Sequence, residues 1–372
     1  MRLIIEKSVF LKALNHVTSV VERRNTIPIL SNVLLSAEGG EVRLKATDLE
    51  REVIETAAAS VSQPGATTVS AHMLHDIVRK LPDGAELELS LGTEDGRMTL
   101  SSGQSRFVLQ VLPAEDFPSL DAGDMSHRFE AGAKELRRLI EKTRFAISTE
   151  ETRYYLNGIY LHAVEVEGKE RLRAVATDGH RLAQVEFDLP EGARGMPGVI
   201  VPRKTVAELH RLIEDSEGPV SVELSNAKIR FSAGKVMLTS KLIDGTFPDY
   251  ARVIPEGNDK VMNVAVADFA SAVDRVSTLS SDKGRAVKLN IEEGRLVLSV
   301  NNPDSGSATE EIAVEYDSDP LEIGFNARYL LDISGQLESD TAHFMLADPG
   351  SPTMVTDNGD VSALYVLMPM RV

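Results

Sequence analysis

The chain repeats itself at a fixed spacing, and this periodicity limits its fold more than any other feature. Phe117-Pro118 recurs as Phe247-Pro248, and Met368-Pro369 follows near the C-terminus. Ala46-Thr47-Asp48 recurs as Ala176-Thr177-Asp178, with the same spacing as the two Phe-Pro pairs. Self-similarity at one period indicates stacked copies of one structural unit. Three similar units without a repeated catalytic set indicate a scaffold or a ring in preference to an enzyme.

Composition sets the class of protein. A length of 372 residues predicts two or three domains, and 42% hydrophobic residues are enough for packed cores. The absence of cysteine excludes disulfides, thiol nucleophiles and Cys-ligated metal sites. The apolar run Leu3–Ile5 is too short for a signal peptide, and no run approaches the ~18 apolar residues of a membrane helix. We therefore predict a cytoplasmic protein.

Each third of the chain has the same predicted order of elements. A short strand precedes an amphipathic helix, which begins after Ser8 in the first third; a hairpin and a second helix follow, and then more strands. We predict that Ser70 caps His72–Leu81, that Pro202 opens the fourth helix, and that Asn326 caps Arg328–Leu337. Each third is thus two similar halves. Hairpins imply antiparallel sheets, so the predicted class is α+β with helices on one face.

Loops rich in Pro, Gly and Asp mark the predicted boundaries between the thirds. We predict three similar domains, which span residues 1–122, 123–255 and 256–372.

The distribution of charge has two interpretations. The net charge of −17 argues against a tight nucleic-acid binder. Basic residues nevertheless concentrate on the predicted helices of the first two domains, among them Arg137, Lys142, Arg203 and Lys204. These helices either meet phosphates through diffuse charge or are ordinary solvated faces.

The segment Thr177-Asp178-Gly179-His180-Arg181 is the most catalytic-looking in the chain. Asp178 and His180 would share one face of a strand, but no nucleophile elbow and no third partner accompanies them. His72 and His75 lie three residues apart without a firm third metal ligand. We predict no catalytic residues, no metal and no cofactor; a hydrolase using Asp178 and His180 stays open as an alternative.

The last residues, Tyr365 to Val372, are apolar and end without a polar tail. One interpretation is that they form a last strand buried in the sheet. The other is that Met368 and Met370, on either side of Pro369, form an adaptable surface for several partners.

Several longer segments carry a resemblance to a known family. They are Thr26–Leu30, Arg153–Gly158, Ala176–Leu182, Val201–Lys204, Phe247–Tyr250 and Met368–Arg371. Together they make the chain similar, over its full length, to the bacterial DNA polymerase III beta subunits, the sliding clamps. The resemblance implies a head-to-tail homodimer in which helices line a ring around duplex DNA and antiparallel sheets form the outer wall. It also implies a DNA polymerase processivity factor.

The resemblance implies a partner-peptide pocket between the second and third domains. Polymerases, including the DNA polymerase III alpha subunit, the clamp loader complex and repair proteins with clamp-binding motifs would dock there. The corresponding residues here are Leu156, Thr177, Gly179, His180, Arg181, Leu182, Pro248, Arg252, Val253, Val366, Leu367, Met368, Pro369, Met370 and Arg371.

The resemblance also implies contacts to double-stranded DNA that do not depend on base sequence. The corresponding residues here are Arg24, Tyr154 and Tyr155, with Arg203 and Lys204 as additional contacts, and the helix cations Arg137 and Lys142 complete the predicted set. Two departures stand out: Glu150 precedes the tyrosines where a neutral residue is expected, and Gly350–Pro352 forms an unusual wall of the pocket. A protein-only adaptor of the same fold remains an alternative.

Overall fold

A computed structural model describes residues 1–92, 96–121, 123–280 and 286–372. The predicted boundary residue Ala122 lies outside these ranges, and the predicted domain limits stay predictions. No helix in the described ranges combines the length and the apolar character that crossing a membrane requires.

The elements follow one another in six similar segments, which we call halves. The first third contains β1 Arg2–Glu6, α1 Lys7–Val17, β2 Asn32–Glu38, β3 Glu41–Thr47, β4 Arg51–Ala58, β5 Ser60–Gln63, β6 Gly65–Ser70, α2 Ala71–Lys80, β7 Glu86–Leu91, β8 Arg97–Ser102 and β9 Ser105–Leu112. The second contains β10 His127–Gly132, α3 Ala133–Thr143, β11 Gly158–Val166, β12 Lys169–Thr177, β13 Arg181–Asp188, β14 Val199–Pro202, α4 Arg203–Leu212, β15 Pro219–Leu224, β16 Lys228–Ala233 and β17 Val236–Lys241. The third contains β18 Lys260–Ala265, α5 Val266–Ser277, β19 Ala286–Glu292, β20 Arg295–Asn302, β21 Gly306–Ala313, β22 Leu321–Asn326, α6 Ala327–Ser334, β23 Thr341–Leu346, β24 Thr353–Asp357 and β25 Asp360–Leu367.

Every half therefore consists of one strand, one helix and three further strands. The first half also contains β5 as an additional strand. The halves begin at β1, β6, β10, β14, β18 and β22. In each third, the first strand of one half pairs with the second strand of the other: β1 with β7 and β6 with β2, β10 with β15 and β14 with β11, β18 with β23 and β22 with β19. These pairings are antiparallel. The predicted class and the prediction of two similar halves per third are confirmed.

The chain folds into two compact units. The first comprises Met1–Arg137, Pro190–Met196 and Lys204–Leu242, and the second comprises Arg138–Leu189, Pro197–Arg203 and Ile243–Val372. The first unit is built on a sheet of order β10-β15-β16-β17-β4-β3-β2-β6-β9-β8-β7-β1-β5. The second contains the sheets β14-β11-β12-β13-β25-β24-β23-β18 and β21-β20-β19-β22.

In each unit, the last strand of one half pairs with the last strand of a distant half. Within the first unit, β4 pairs with β17 through Val53 and Leu238; within the second, β13 pairs with β25 through Leu182 and Val366. In each case the partner is the last strand of the half three steps further along the chain. This regular step is a property that the sequence repeat alone does not show.

Local chemistry explains most element boundaries. The Gly39-Gly40 turn joins β2 and β3 with both residues in the left-handed region, as glycine allows. Asn326 caps α6 by accepting the Arg328 N–H at 3.0 Å, as predicted. The predicted Ser8 cap is wrong. α1 begins two residues earlier than predicted, at Lys7, and the carboxylate of Glu6 accepts the N–H groups of Ser8 and Val9 at 3.0 and 3.2 Å.

The repeated Ala-Thr-Asp sequence forms a tight turn between two strands. The Thr47 hydroxyl donates to the Arg51 carbonyl (2.7 Å) and accepts the Leu49 N–H (3.0 Å). The Asp48 carboxylate accepts the N–H groups of Glu50 and Arg51 at 3.0 and 2.6 Å and pairs with the Arg51 guanidinium. Leu49 occupies the left-handed region, with φ of 72°. The turn thus depends on three side chains in a Thr-Asp-x-x-Arg pattern.

Replacing Thr47 with valine tests this turn. The side chain is 1% exposed, and the substitution keeps its shape but leaves the Arg51 carbonyl without this donor. We expect Thr47→Val to lower the free energy of unfolding by about 1–3 kcal/mol, measured by chemical denaturation. Thr99→Val is the control, because the hydroxyl of half-buried Thr99 has no hydrogen-bond partner among the described residues. Equal stability of the two variants would contradict the role of the hydroxyl.

Candidate functional site

The predicted pocket residues lie within the second unit, around the junction of β13 and β25. Strand pairing sets Arg181 opposite Leu367 and Leu182 opposite Val366. The backbone continues this junction, since the Met368 N–H donates to the His180 carbonyl at 2.9 Å. A second backbone hydrogen bond fixes the last residues, because the Met370 N–H donates to the Gly324 carbonyl at 2.8 Å. The C-terminal segment is therefore fixed beside the Thr177–Leu182 turn.

The floor of this site is apolar and buried. Leu156, Leu182 and Val366 pack in one cluster, whose other buried members are Val175, Ile200, Phe247 and Tyr250. Exposed predicted residues flank this cluster along the chain: Gly179, His180, Pro248, Arg252, Val253, Met368 and Arg371. Val253 is 45% and Met368 39% exposed, which is high for side chains of this kind. An apolar floor with exposed apolar and polar groups beside it can hold apolar anchors of a peptide.

The turn at the centre of the site repeats the geometry of the first third. The Thr177 hydroxyl donates to the Arg181 carbonyl (2.7 Å) and accepts the Gly179 N–H (3.1 Å). The Asp178 carboxylate accepts the N–H groups of His180 and Arg181 at 2.9 and 3.0 Å. Asp178 and His180 thus lie in a turn, and they do not share one face of a strand as the catalytic alternative would require.

Arg181 acts inside the protein. Its guanidinium pairs with Asp178 and with Asp332 (2.5 Å), and it lies 4.2 Å from the ring centroid of Tyr329 and 5.1 Å from that of Phe145. The residue is only 8% exposed. It therefore positions the turn through ion pairs and cation–π contacts and does not present its charge to a ligand. The sequence analysis did not identify Tyr329 and Asp332 as partners of Arg181. The available signal was the arginine itself, which follows the Thr-Asp pair by three residues in both repeats.

An aromatic stack supports the segment that carries Pro248. The rings of His162, Tyr160 and Phe247 lie in sequence, with centroid distances of 4.4 and 4.9 Å. The Tyr250 hydroxyl lies 3.0 Å from His162 Nε2 and accepts a hydrogen bond from Arg173 at 3.1 Å. Burial, together with the nearby Arg173 charge, lowers the pKa of His162 from 6.5 to about 4.

The predicted DNA contacts fall into separate groups. In the second unit, Tyr154 is 53% exposed and meets Tyr155 edge to face at 5.8 Å, while exposed Arg203 begins α4 and its N–H donates to the Asn157 carbonyl. In the first unit, Arg24 is exposed, and the Lys204 ammonium pairs with Glu22 at 3.0 Å. Stacking surfaces and exposed cations suit sugar–phosphate contacts.

Two of the residues predicted to contact DNA have charged groups that are bound by other parts of the protein. Lys142 is 5% exposed, and its ammonium pairs with Glu338 at 2.7 Å and Asp360 at 3.5 Å. In the first unit, the Arg137 guanidinium donates to three carbonyls beyond the end of α4, those of Ile213, Glu214 and Ser216. The charges of both residues are used to stabilise the fold, so they are poorly placed to meet phosphates.

The two departures also have structural roles. The Glu150 carboxylate pairs with Arg153 at 2.7 Å; this hydrogen-bonded pair lowers the pKa of Glu150 and raises the pKa of Arg153. Glu150 thus offsets a cation beside the tyrosine pair. In the Gly350–Pro352 segment, Asp348 accepts the Gly350 N–H at 2.8 Å and the Ser351 hydroxyl at 2.7 Å, which stabilises the turn.

The described residues contain no cluster of three or more His, Cys, Asp or Glu side chains that could hold a metal ion. In the first unit, His72 bonds to the Val21 carbonyl and His75 to the Asn15 side chain, so both imidazoles have structural partners.

Three strand-paired repeats, with a buried apolar cluster beside the C-terminal segment, are typical of a multidomain binding protein. Comparison with known proteins gives its family. Models of the N-terminal, central and C-terminal domains of the DNA polymerase III beta subunit match residues 1–121, 131–249 and 251–371. The chain belongs to the DNA polymerase III beta subunit family, the beta sliding clamps.

Relatives of this family match over their full length. The beta sliding clamps of Caulobacter vibrioides and Escherichia coli K12 are 56% and 41% identical, with all of both chains covered. A crystal structure of a Bartonella birtlesii sliding clamp bound to griselimycin is 58% identical, has a TM-score of 0.97 and covers 100% of both chains. The corresponding clamp structure from Caulobacter crescentus has a TM-score of 0.96 at 56% identity, again with 100% of both chains covered.

The aromatic stack predicts a pH dependence of stability. Because the pKa of His162 is lowered in the folded chain, the unfolded chain binds the proton more tightly at pH values between the two pKa values. Stability should therefore decline as the pH falls from about 6.5 towards 4. We expect His162→Phe, which keeps an aromatic ring, to remove this part of the decline in chemical denaturation across that range. An unchanged pH profile in the variant would contradict the lowered pKa.

Proposed function

We propose that this chain is a DNA polymerase processivity factor. Two copies form a ring around duplex DNA, and the pocket tethers the polymerase to it. The observation that carries the proposal is the match of three consecutive clamp domain models along the whole chain. The role requires no catalysis and no cofactor, and it is exercised on DNA in the cytoplasm.

The pairing of last strands supports closure of the ring. β4 pairs with β17 and β13 with β25, in each case three halves apart. The last strands of the second and fifth halves, β9 and β21, have no such partner among the described residues. If the halves are counted on from one copy of the chain into a second copy, the half three steps after the fifth is the second half of that second copy. The strand β21 of one copy would therefore pair with β9 of the other. A head-to-tail homodimer follows, with a heterologous interface that closes.

The two edges are suited to this pairing. Along Ser105–Gln110, β9 pairs only with β8, and it meets β6 only at Val111 and Leu112. β21 is the end strand of its sheet and pairs only with β20. Val108 on β9 is 52% exposed, an unusual position for a valine unless a second strand covers it. Exposed Arg106 on β9 and exposed Glu311 on β21 carry opposite charges.

The pocket in the second unit serves as the tether. The apolar floor of Leu156, Leu182 and Val366 accepts the apolar anchors of a clamp-binding motif, while His180 and Arg252 meet its polar groups. The proposed partners are the DNA polymerase III alpha subunit, the clamp loader complex, and other polymerases and repair proteins that carry such motifs. Thr177 and Arg181 contribute by holding the turn in place.

Contacts to duplex DNA are few and independent of base sequence in this proposal. Arg24, Tyr154, Tyr155, Arg203 and Lys204 are the proposed contacts. Retention depends on encirclement, so these contacts need only guide the duplex.

A hydrolase using Asp178 and His180 is not supported by the geometry. The Asp178 carboxylate already accepts two backbone N–H groups and pairs with the Arg181 guanidinium. It stabilises a turn, and the same turn recurs at Asp48 with no histidine beside it.

Retention on DNA of different topology tests the ring. The protein is loaded onto nicked circular DNA with its clamp loader and ATP, and the DNA is then linearised. We expect retention on circles and release from linear DNA. Val108→Asp should form monomers in light scattering and should not be retained, because it places a charge in the proposed strand interface. Val361→Asp is the control, since Val361 is 96% exposed.

Three results would count against the ring. Equal retention on circular and linear DNA would show that local contacts hold the protein. A dimeric Val108→Asp protein would contradict the proposed interface. Failure to load, with a loader shown to be active on another clamp, would favour a protein-only adaptor.

Removal of Met368–Val372 tests the tether separately. We expect the deletion to weaken binding of an alpha-subunit motif peptide at least about a hundredfold, because central apolar anchors contribute about 2 kcal/mol or more each. Fluorescence anisotropy measures this binding. Griselimycin, which is bound in the Bartonella structure, should also lose affinity if it uses this pocket. The dimer should persist in light scattering, and its dissociation would contradict the location of the pocket.

A further inference from the structure

A second cleft, of about 450 Å³, opens on the large sheet of the first unit. It lies over β2, β3, β4, β16 and β17, beside the segment that follows Phe117. Val42 and Leu44 of β3 are fully buried on the face that packs against α1, so the alternating Arg43 and Lys45 point to the opposite face. We call this opposite face the helix-free face. The cleft is therefore on the other side of the sheet from the helix α1.

The internal repeat shows what occupies the equivalent position in the second unit. Arg173 is the equivalent of Arg43, since each stands three residues before the repeated Ala-Thr-Asp. The Arg173 guanidinium pairs with Glu186 at 2.6 Å and donates to the Tyr250 hydroxyl at 3.1 Å. Tyr160 and His162 stack alongside and fill the remaining space. In the second unit the arginine is thus satisfied by the protein itself.

In the first unit every one of these groups is replaced by a smaller one. Strand register puts Thr56 opposite Arg43, where Glu186 lies opposite Arg173. By the same register and spacing, Leu34 and Ser36 replace Tyr160 and His162, and Leu120 replaces Tyr250. No hydrogen bond or ion pair joins the Arg43 side chain to any residue in the described ranges. The cleft is the volume that the smaller side chains leave open, with an arginine at its wall.

The acidic groups around the cleft are already engaged. Glu52, which is 4% exposed, pairs with Lys45 at 3.1 Å and accepts the Leu120 N–H at 3.0 Å. The Asp121 carboxylate accepts the Gly123 N–H at 3.0 Å.

The third cation of the cleft is partly neutralised. Arg230 lies 3.6 Å from Glu223, which is also 3.8 Å from Arg128. The lining cations Arg43, Lys45 and Arg230 outnumber the lining carboxylates of Glu52 and Asp121 by one, and of these cations only Arg43 has no ion pair among the described residues.

We propose that this cleft binds a glutamate or aspartate side chain from an acidic peptide segment of a partner protein. The ligand carboxylate takes the place that the Glu186 carboxylate has beside Arg173, and the planar guanidinium of Arg43 suits a bidentate contact. The half-buried apolar side chains of Leu34 and Met237 meet the aliphatic part of the ligand. The helix-free face and the small volume favour a side chain over duplex DNA. This site is independent of the proposed ring and of the pocket beside β25.

Binding of a blocked tetraglutamate peptide to the full-length protein tests the proposal. We expect tetraglutamate to bind and tetraglutamine not to bind, in isothermal titration at low salt. Arg43→Gln should weaken binding at least about tenfold, because hydrogen bonds to a charged group are among the stronger ones. Leu120→Tyr should abolish binding, since the new ring fills the cleft and its hydroxyl can reach Arg43 as Tyr250 reaches Arg173. Arg97→Gln, which removes another exposed arginine of the first unit, should bind as the unmodified protein does.

The proposal is overturned if tetraglutamate does not bind, if tetraglutamine binds equally well, or if Arg43→Gln and Leu120→Tyr bind tetraglutamate as the unmodified protein does. Displacement of the peptide by inorganic phosphate or duplex DNA at lower concentration would make the cleft a phosphate site and would also overturn it. Unchanged circular dichroism spectra and unfolding midpoints confirm that each variant is folded.

Discussion

The arrangement of this protein depends on antiparallel pairing between the last strands of distant halves. Each half has one buried helix face and a last strand whose backbone groups need partners. Pairing of β13 with β25 supplies them in the second unit and also brings the Thr177 turn beside the C-terminal residues. The apolar cluster under the proposed pocket is a consequence of that pairing, because it includes Leu182 from one strand and Val366 from the other. The same rule leaves β21 and the Ser105–Gln110 part of β9 as edges, and an edge of this kind favours addition of another strand.

Comparison of the two copies of the Thr-Asp-x-x-Arg turn explains why we propose a peptide pocket beside the second copy and not beside the first. The turn itself is nearly identical at Asp48 and Asp178. The neighbouring strand positions differ: Val175 and Leu182 are apolar, whereas their equivalents Lys45 and Glu52 form an ion pair at 3.1 Å. An apolar peptide anchor can pack on the first pair, but on the second it would have to cover charges. The scaffold is repeated, and the binding chemistry depends on a few side chains placed upon it.

Local sequence signals were sufficient to predict most helices, strands and turns. They were insufficient to predict which distant strands pair with each other. The Gly39-Gly40 turn and the Asn326 cap follow from residues within a few positions, and both were predictable. The Ser8 cap failed because a neighbouring carboxylate, Glu6, competes for the same N–H groups. The fixed period of the repeat predicted similar units, but the step of three halves between last strands is a long-range choice that no local pattern encodes.

The candidate site shows the same division. The resemblance predicts roles for the apolar residues near the C-terminus and for the tyrosine pair, because their character is visible in the sequence. The roles of Arg181 and Lys142 could not, since a cation in a sequence gives no sign of whether it faces water or a carboxylate. Burial decides between the two. Lys142, at 5% exposed, is viable only because Glu338 and Asp360 compensate its charge.

The use of cations inside the fold bears on how such a protein can hold DNA. Arg138 pairs with Asp360 and Arg211 with Glu208. Glu150 likewise offsets Arg153 beside the tyrosine pair. The charge available to phosphates is therefore smaller than the number of basic residues on the helices indicates. Each neutralised phosphate adds to the strength and salt sensitivity of binding, so a weakly charged surface holds DNA loosely. Loose contact is what sliding requires, provided that closure of the ring, and not affinity, prevents escape.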